Sequence, residues 1–269
     1  MGEGYLWQCA MDAAEDALHD GPMDNHLFWL IGAVFVAAGA VKGVSGMGLP
    51  TFAIALLGLA MPPATAATLV LLPSLLTNIA QCIGPHARTL VRRLWPLWLG
   101  VAAATVGSPL PDLGTAGNEA RITLGTVLMV YGAWGLARPT LPDLVRHARV
   151  AGGLAGLLSG ALTAATGVFV MPLVPYLQSL RLEKDAFIQA LGLSFLVATL
   201  ALAVRLGHMA SPGVPVPAIG HAIALAAACL GLWIGAHWRQ RLPALMFQRA
   251  LYSVFLGLGG LMLARALAA

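Results

Sequence analysis

The sequence predicts an all-α integral membrane protein built from two inverted-topology repeats of about five hydrophobic segments each. Of its 269 residues, 59% are hydrophobic and only 10% are charged, whereas a soluble domain carries about 25% charged residues. A glycine- and proline-rich interruption occurs once in each half of the chain. Lysine and arginine are concentrated in alternate connections between the hydrophobic segments, which is typical of a multi-pass membrane protein.

Ten apolar segments follow one another along the chain. A helix needs about 20 residues to span the hydrocarbon layer, but the second and seventh segments have only 11 to 13 residues. We expect each of these two to be a half-helix or to fold as a hairpin with the segment before it. The segments are 27–46, 49–61, 64–84, 94–110, 120–137, 150–170, 171–181, 186–206, 218–236 and 246–267.

The first interruption, at 39–50, contains four glycines, a proline, Ser45 and Lys42. Glycine and proline weaken a helix, and a break at membrane depth is tolerated only where it is buried in protein or lines a wet cavity. A shift of 121 residues places Ser45 and Gly46 on Thr166 and Gly167, inside the second interruption. Interrupted segments in matching positions of two halves point to the binding site of a transporter.

The distribution of charge predicts the orientation of the chain in a bacterial inner membrane. Residues 1–26 contain six acidic and no basic residues, and we place this acidic tail outside, in the periplasm. Four basic connections, within 86–93, 138–149, 181–184 and 239–241, then fall inside. Arg121 and Arg205 lie just beyond connections predicted outside and are the exceptions.

Each half has an odd number of segments, so the second half is inverted relative to the first and both termini lie outside. The predicted organisation is therefore an acidic tail at 1–26, a first transmembrane repeat at 27–137, a basic cytoplasmic linker at 138–149 and a second repeat at 150–267. The inversion also holds if the short segments form hairpins, because a hairpin returns the chain to its starting side.

Lys42 is the leading candidate for a functional residue. It is one of only two lysines and the sixteenth residue of the first segment. An ionisable residue inside the membrane is costly and normally has a partner, yet none of the ten segments contains Asp or Glu. We therefore predict that an anionic substrate is its partner. The alternative is that its side chain snorkels to the cytoplasmic interface.

The two breaks predict a pair of anion-binding backbone ends. Helix N-termini present free N–H groups and a partial positive charge to anions, and hydroxyl groups could complete a cradle for an oxyanion. The alternative is that the small residues only allow close helix packing. The residues concerned are Ser45, Gly46, Gly48 and Leu49 in the first half, and Thr166, Gly167 and Val168 in the second.

Two further polar residues complete the predicted site. Asn78 lies on the third segment, and the 121-residue shift gives it Thr199 as a counterpart. Tyr176 follows the second break and offers a hydroxyl donor. The alternatives are a hydrogen bond between helices for Asn78 and an interfacial position for Tyr176.

Three runs in the first repeat resemble the TauE/SafE family of sulfite-exporter-like permeases. They are VKGVSGMGLP at 41–50, MPPA at 61–64 and PSLLTN at 73–78, and the stretch 159–173 of the second repeat fits the same pattern. The resemblance extends over about 27–267. It implies an eight-helix permease of sulfite, sulfonates and other small organosulfur or organic anions.

We therefore expect a secondary membrane transporter for a small anion bound between the repeats near Lys42. The expected partners are this anion and the lipid bilayer, with no cofactor and no nucleic acid; a coupling ion, H⁺ or Na⁺, and a homodimer are left open. The chain has no HExxH, Walker loop or cluster of acids with His or Cys, so it is not expected to be an enzyme. Two alternatives remain, a membrane accessory subunit that transports nothing and a cation transporter.

Overall fold

The computed structural model describes residues 23–109, 118–137, 141–208, 214–239, 241 and 243–268. Within these ranges each of the ten predicted segments corresponds to one α-helix. Most of the predicted acidic tail, and residues 138–140 of the predicted linker, lie outside the described residues. The helices are α1 Met23–Ser45, α2 Leu49–Leu57, α3 Pro63–Cys82, α4 Ala87–Gly107, α5 Asn118–Ala137, α6 Ala148–Thr166, α7 Leu173–Ser179, α8 Lys184–His208, α9 Ala218–Trp238 and α10 Ala244–Ala268.

Seven of the described helices are long and apolar enough to cross a membrane, namely α1, α3, α5, α6, α8, α9 and α10. Helix α4 has 21 residues but is not among them, because Arg88, Arg92 and Arg93 lie in its first two turns. The prediction that this segment starts at residue 94, with the three arginines in a connection, is wrong. Arginine is a good helix former, and the helix extends through it.

Both predicted breaks end a long helix in the same way. Helix α1 ends at Ser45 and helix α6 at Thr166, and each is followed by a glycine with positive φ, +79° at Gly46 and +70° at Gly167. Glycine adopts this left-handed conformation without the strain that a Cβ atom would add. The sixth segment was predicted to run to residue 170, which is four residues too far.

The two short helices that follow the breaks have nine residues in α2 and seven in α7. Pro50 lies in the first turn of α2, where a helix does not use the missing N–H group. In α7, the Tyr176 hydroxyl donates a hydrogen bond to the Ala148 carbonyl, 2.6 Å away, at the start of α6. After the second break the chain therefore returns along α6, and α6 and α7 form a hairpin.

Glycines hold two pairs of helices in close contact, α1 with α9 and α4 with α6. A Cβ atom on Gly43 would lie 2.5 Å from the Leu232 carbonyl oxygen, and one on Gly160 would lie 2.5 Å from the Val101 carbonyl oxygen. Small residues allow this approach of backbones in membranes. The contacts advance in the same direction along both helices, so each pair is parallel: Val36 meets Gly231, Ala40 meets Gly235, Leu97 meets Gly156, and Val101 meets Gly160.

Two other pairs run antiparallel, α3 with α8 and α5 with α10. Asn78 meets Thr199 and Gln81 meets Gly192 in the first pair, whereas Gly125 meets Gly259 and Gly132 meets Tyr252 in the second. Helix α3 also contacts α2 and α9, and α8 also contacts α4, α6 and α7. The α3–α8 pair is thus surrounded by other helices, and it carries the polar residues of the candidate site.

Candidate functional site

Lys42 is enclosed by the protein in the last turn of α1. Its side chain is only 2% exposed, and its Nζ donates a hydrogen bond to Oδ1 of Asn78 on α3. In this conformation the ammonium group is directed into the helix bundle and does not snorkel to an interface. The structure therefore brings together two of the predicted site residues, which are 36 positions apart in the sequence.

Among the described residues, no carboxylate forms an ion pair with Lys42. Of the acidic residues after position 26 that the structure describes, Asp143 and Glu183 lie in connections, and Glu119 and Asp185 lie in the first turns of helices. An ammonium buried against a neutral amide retains a desolvation penalty of several kcal/mol. The site can therefore attract an anion.

A row of polar groups continues from Lys42 through α3 to α8. Nδ2 of Asn78 donates to Oγ1 of Thr199 over 3.4 Å, and Thr199 donates to the Phe195 carbonyl at 2.7 Å. Asn78 and Thr199 are the positions matched by the 121-residue shift, and here they meet. One turn further along α3, Nε2 of Gln81 donates to the Gly46 carbonyl at 2.8 Å. This bond ties α3 to the break after α1.

Sequence reasoning missed Ser74, which lies on α3 one turn before Asn78. The side chain is fully buried, and its hydroxyl has no hydrogen-bond partner among the described residues. An unsatisfied buried polar group costs about 1–3 kcal/mol, so this hydroxyl is available to a ligand. The sequence pattern that could have identified Ser74 is its spacing from Asn78 and Gln81, which places all three residues on one face of a helix.

The start of α2 contributes a second hydroxyl of this kind. Gly48, with φ of +96°, precedes the helix, and Leu49 is its first residue. Thr51, in the same first turn, is fully buried, and its Oγ1 has no hydrogen-bond partner within the part of the chain that the structure describes. The first N–H groups of a helix have no intrahelical acceptor. This end of α2 therefore combines two kinds of donor.

The hydroxyls at the breaks are already used to cap helices. Oγ of Ser45 donates to the Val41 carbonyl at 2.7 Å and accepts from the Met47 N–H at 3.2 Å. At the second break, Oγ1 of Thr166 donates to the Leu162 carbonyl at 2.6 Å and accepts from the Val168 N–H at 3.2 Å. In this conformation both hydroxyls bond backbone groups at their own breaks, in the same way in the two halves.

Tyr176 does not join the group around Lys42. Its hydroxyl bonds Ala148, the first residue of α6, whereas the second break with Thr166 and Gly167 follows the last residue of that helix. At 1.5 Å per residue, the two ends of α6 are about 27 Å apart. The structure thus separates Tyr176 from the break beside which the sequence placed it.

Arg205, an exception to the charge rule, has a structural role. It lies buried in the last turn of α8, and its Nη1 donates to the carbonyls of Thr105 and Ser108 at 3.0 and 3.1 Å. These carbonyls belong to the C-terminal end of α4, where a cation is favourable to the helix dipole. Arg205 thus joins two helices, and it is not a surface charge on the side of the membrane where the charge rule predicts few basic residues.

Comparison with known proteins gives one result. The family model described as Sulfite exporter TauE/SafE matches residues 31–262, which include both breaks, Lys42 and Asn78. No curated protein and no solved structure matches the chain. The match covers most of the chain, and the described helices supply seven spans that suit a multi-pass membrane protein. The chain therefore belongs to the sulfite exporter TauE/SafE family of membrane transporters.

Proposed function

We propose that this chain is a secondary permease for a small anion that binds beside Lys42, between two inverted repeats. The description of the family names sulfite, and we extend the proposed substrate class to a sulfonate or another small organosulfur or organic acid. The observation that carries the proposal is the enclosed Lys42 ammonium, whose hydrogen-bond partner is the neutral Asn78 amide. An oxyanion in contact with Lys42 would supply the missing negative charge.

The groups around Lys42 suit a small oxyanion. The ammonium is a compact point charge with three donors, and one of them bonds Asn78. The long 3.4 Å bond from the Asn78 amide to Thr199 can be exchanged for a bond to the anion at little cost. The buried hydroxyl of Ser74 offers another donor one turn away on α3. Together these groups donate from two helices to one acceptor.

The packing supports the inverted repeat. Helices α3 and α8 are matched by the 121-residue shift, as are α1 and α6, and α3 and α8 cross antiparallel. Helices α5 and α10, the last of each half, are also antiparallel. Counterparts that lie head to tail fit a two-fold axis in the membrane plane, as in many secondary transporters. The orientation we propose keeps both termini in the periplasm.

Access to the site would require one repeat to move against the other. Lys42 is closed off from solvent, so an anion reaches it only when the helices around it separate. Rocking of repeat-derived bundles around a central site opens each side in turn. The same ammonium opposes a cation at this position, which makes the cation-transporter alternative the weaker one.

Anion flux into liposomes tests the proposal. Purified protein is reconstituted, and uptake of radiolabelled sulfite, a small sulfonate and a small carboxylate is compared with uptake by protein-free liposomes. We expect saturable uptake of at least one anion and competition from the others. Proton and sodium gradients, imposed separately, identify a coupling ion. Flux at the protein-free level for every anion, with folded protein in the membrane, would support the accessory-subunit alternative.

A further inference from the structure

A second basic site lies at the opposite end of the α6–α7 hairpin from the break. The first turns of α4 and α6 form a cleft with a volume of about 500 Å³. Four arginines line it together with His147: Arg92 and Arg93 from α4, Arg146 from the short 3-10 turn Val145–His147 before α6, and Arg149 from the first turn of α6. This cleft shares no residue with the Lys42 site.

The cleft has strong positive charge and no lining acid. None of the described residues that line it is acidic. The nearest acid in the sequence, Asp143, accepts a hydrogen bond from the Val145 N–H at 3.0 Å and lies 3.7 Å from Nε of Arg181. Asp143 thus borders the cleft at Val145, but the guanidinium nearest to it belongs to Arg181, which does not line the cleft. Like charges gathered around one cleft repel one another, and a bound anion would relieve this repulsion.

The chemistry of the cleft matches a phosphate group. Guanidinium groups bind phosphate oxygens through pairs of parallel hydrogen bonds. His147, the residue before α6, makes no side-chain cap to that helix, and the dipole at the start of a helix favours an anion there. Arg92 and Arg146 are solvent-exposed and can adjust to a bound group.

The surroundings favour a lipid as the source of this phosphate. From the cleft, exposed apolar side chains follow each helix at intervals of four residues: Val91, Trp95 and Leu99 on α4, and Val150, Leu154 and Leu158 on α6. Val150 is 69% exposed and also lines the cleft. These faces suit contact with acyl chains, and so the arginines lie at the depth of the headgroups. Basic pockets between helices on the cytoplasmic side bind anionic headgroups.

We propose that the cleft between the first turns of α4 and α6 binds the phosphate of an anionic phospholipid headgroup. The arginines contact the phosphate oxygens, and the acyl chains lie along the apolar faces of the two helices. This site is independent of the proposed transport site, and its test does not require flux.

The test measures lipid binding to the full-length protein. Phosphatidylglycerol, with phosphatidylcholine as the zwitterionic control, is titrated into the detergent-purified protein, and bound lipid is counted by native mass spectrometry. The variant Arg92→Gln/Arg146→Gln removes two exposed charges from the cleft. The control variant Arg239→Gln/Arg241→Gln removes two exposed charges from another connection, which is predicted on the same side. Both variants have the same net charge.

We expect the cleft variant to bind phosphatidylglycerol at least tenfold more weakly than wild type, and the control variant to bind it normally. Arg92→Lys/Arg146→Lys should retain part of the binding because it keeps the charge. Equal loss in the cleft and control variants would show that only net charge matters, and would overturn the proposal. If inorganic phosphate displaces phosphatidylglycerol and binds as tightly as the lipid does, the cleft is a site for a soluble anion and the proposal is overturned.

Discussion

Replacing Lys42 with methionine removes the ammonium group and keeps a side chain of similar volume. This matters because Lys42 is buried, and alanine would leave a cavity that costs about 2–5 kcal/mol. An ammonium and an anion 4 Å apart attract by about 4 kcal/mol at an effective dielectric constant near 20, and desolvation cancels part of this. We therefore expect Lys42→Met to lower anion affinity at least tenfold, or about 1.4 kcal/mol.

The assay is a titration of the anion by calorimetry, with flux into liposomes as the second measurement. Lys184→Met is the matched control, because it makes the same change at the other lysine, which is exposed at the start of α8. Lys42→Arg should also impair transport, since a planar guanidinium does not replace a compact ammonium. Removal of the buried charge relieves its desolvation penalty, and this gain offsets the cost, about 1–3 kcal/mol, of leaving Oδ1 of Asn78 without its donor, so the melting temperature should change little. Wild-type affinity in a folded Lys42→Met protein would refute the reasoning.

Three other substitutions test the site and the scaffold. Asn78→Asp places a carboxylate beside Lys42. We expect this internal ion pair to lower anion affinity at least tenfold in the same calorimetric titration. Unchanged affinity would argue against the site. Gly160→Ala puts a Cβ atom 2.5 Å from a backbone oxygen of α4 and should destabilise the protein by about 1–3 kcal/mol. The control Gly153→Ala has nothing within 4 Å of its Cβ and should leave the stability unchanged. Thermal unfolding compares the two variants. Arg205→Met should lower the stability of the protein by about 1.5–3 kcal/mol, because it removes hydrogen bonds made by a charged group. Anion affinity should stay unchanged. A loss of affinity without a loss of stability would contradict a purely structural role for Arg205.

The breaks could be predicted from the sequence because their cause is local. A left-handed residue after a helix favours glycine, and a hydroxyl just before it can cap the backbone. Ser45-Gly46 and Thr166-Gly167 satisfy both conditions, and their hydrogen bonds match at both ends. The ten α-helices among the described residues were predictable for a similar reason, since hydrophobic length is a property of each segment alone.

The remaining errors concern features that depend on tertiary packing. The position of Tyr176 depends on the direction in which the chain leaves the second break, and the hairpin carries it back to the start of α6. Ser74 is buried by neighbouring helices, but in a membrane protein the outward faces are apolar too, so hydrophobic periodicity does not show which face is buried. Arg205 was an exception to the predicted charge distribution, and only its hydrogen bonds to carbonyls of α4 explain its position.

The polar site is asymmetric, although the scaffold around it has matching halves. The counterpart of Lys42 is Thr163, whose hydroxyl donates to the Ser159 carbonyl of its own helix at 2.7 Å, and the counterpart of Ser74 is the buried Phe195. The ammonium of Lys42 and the hydroxyl of Ser74 therefore have no counterpart at the matched positions of the second half. Under the proposed function, matching backbones allow two alternate arrangements of the repeats, because each can take the position of the other. Under the same proposal, the unmatched ammonium would provide one binding point for the anion, and the second half would close over it.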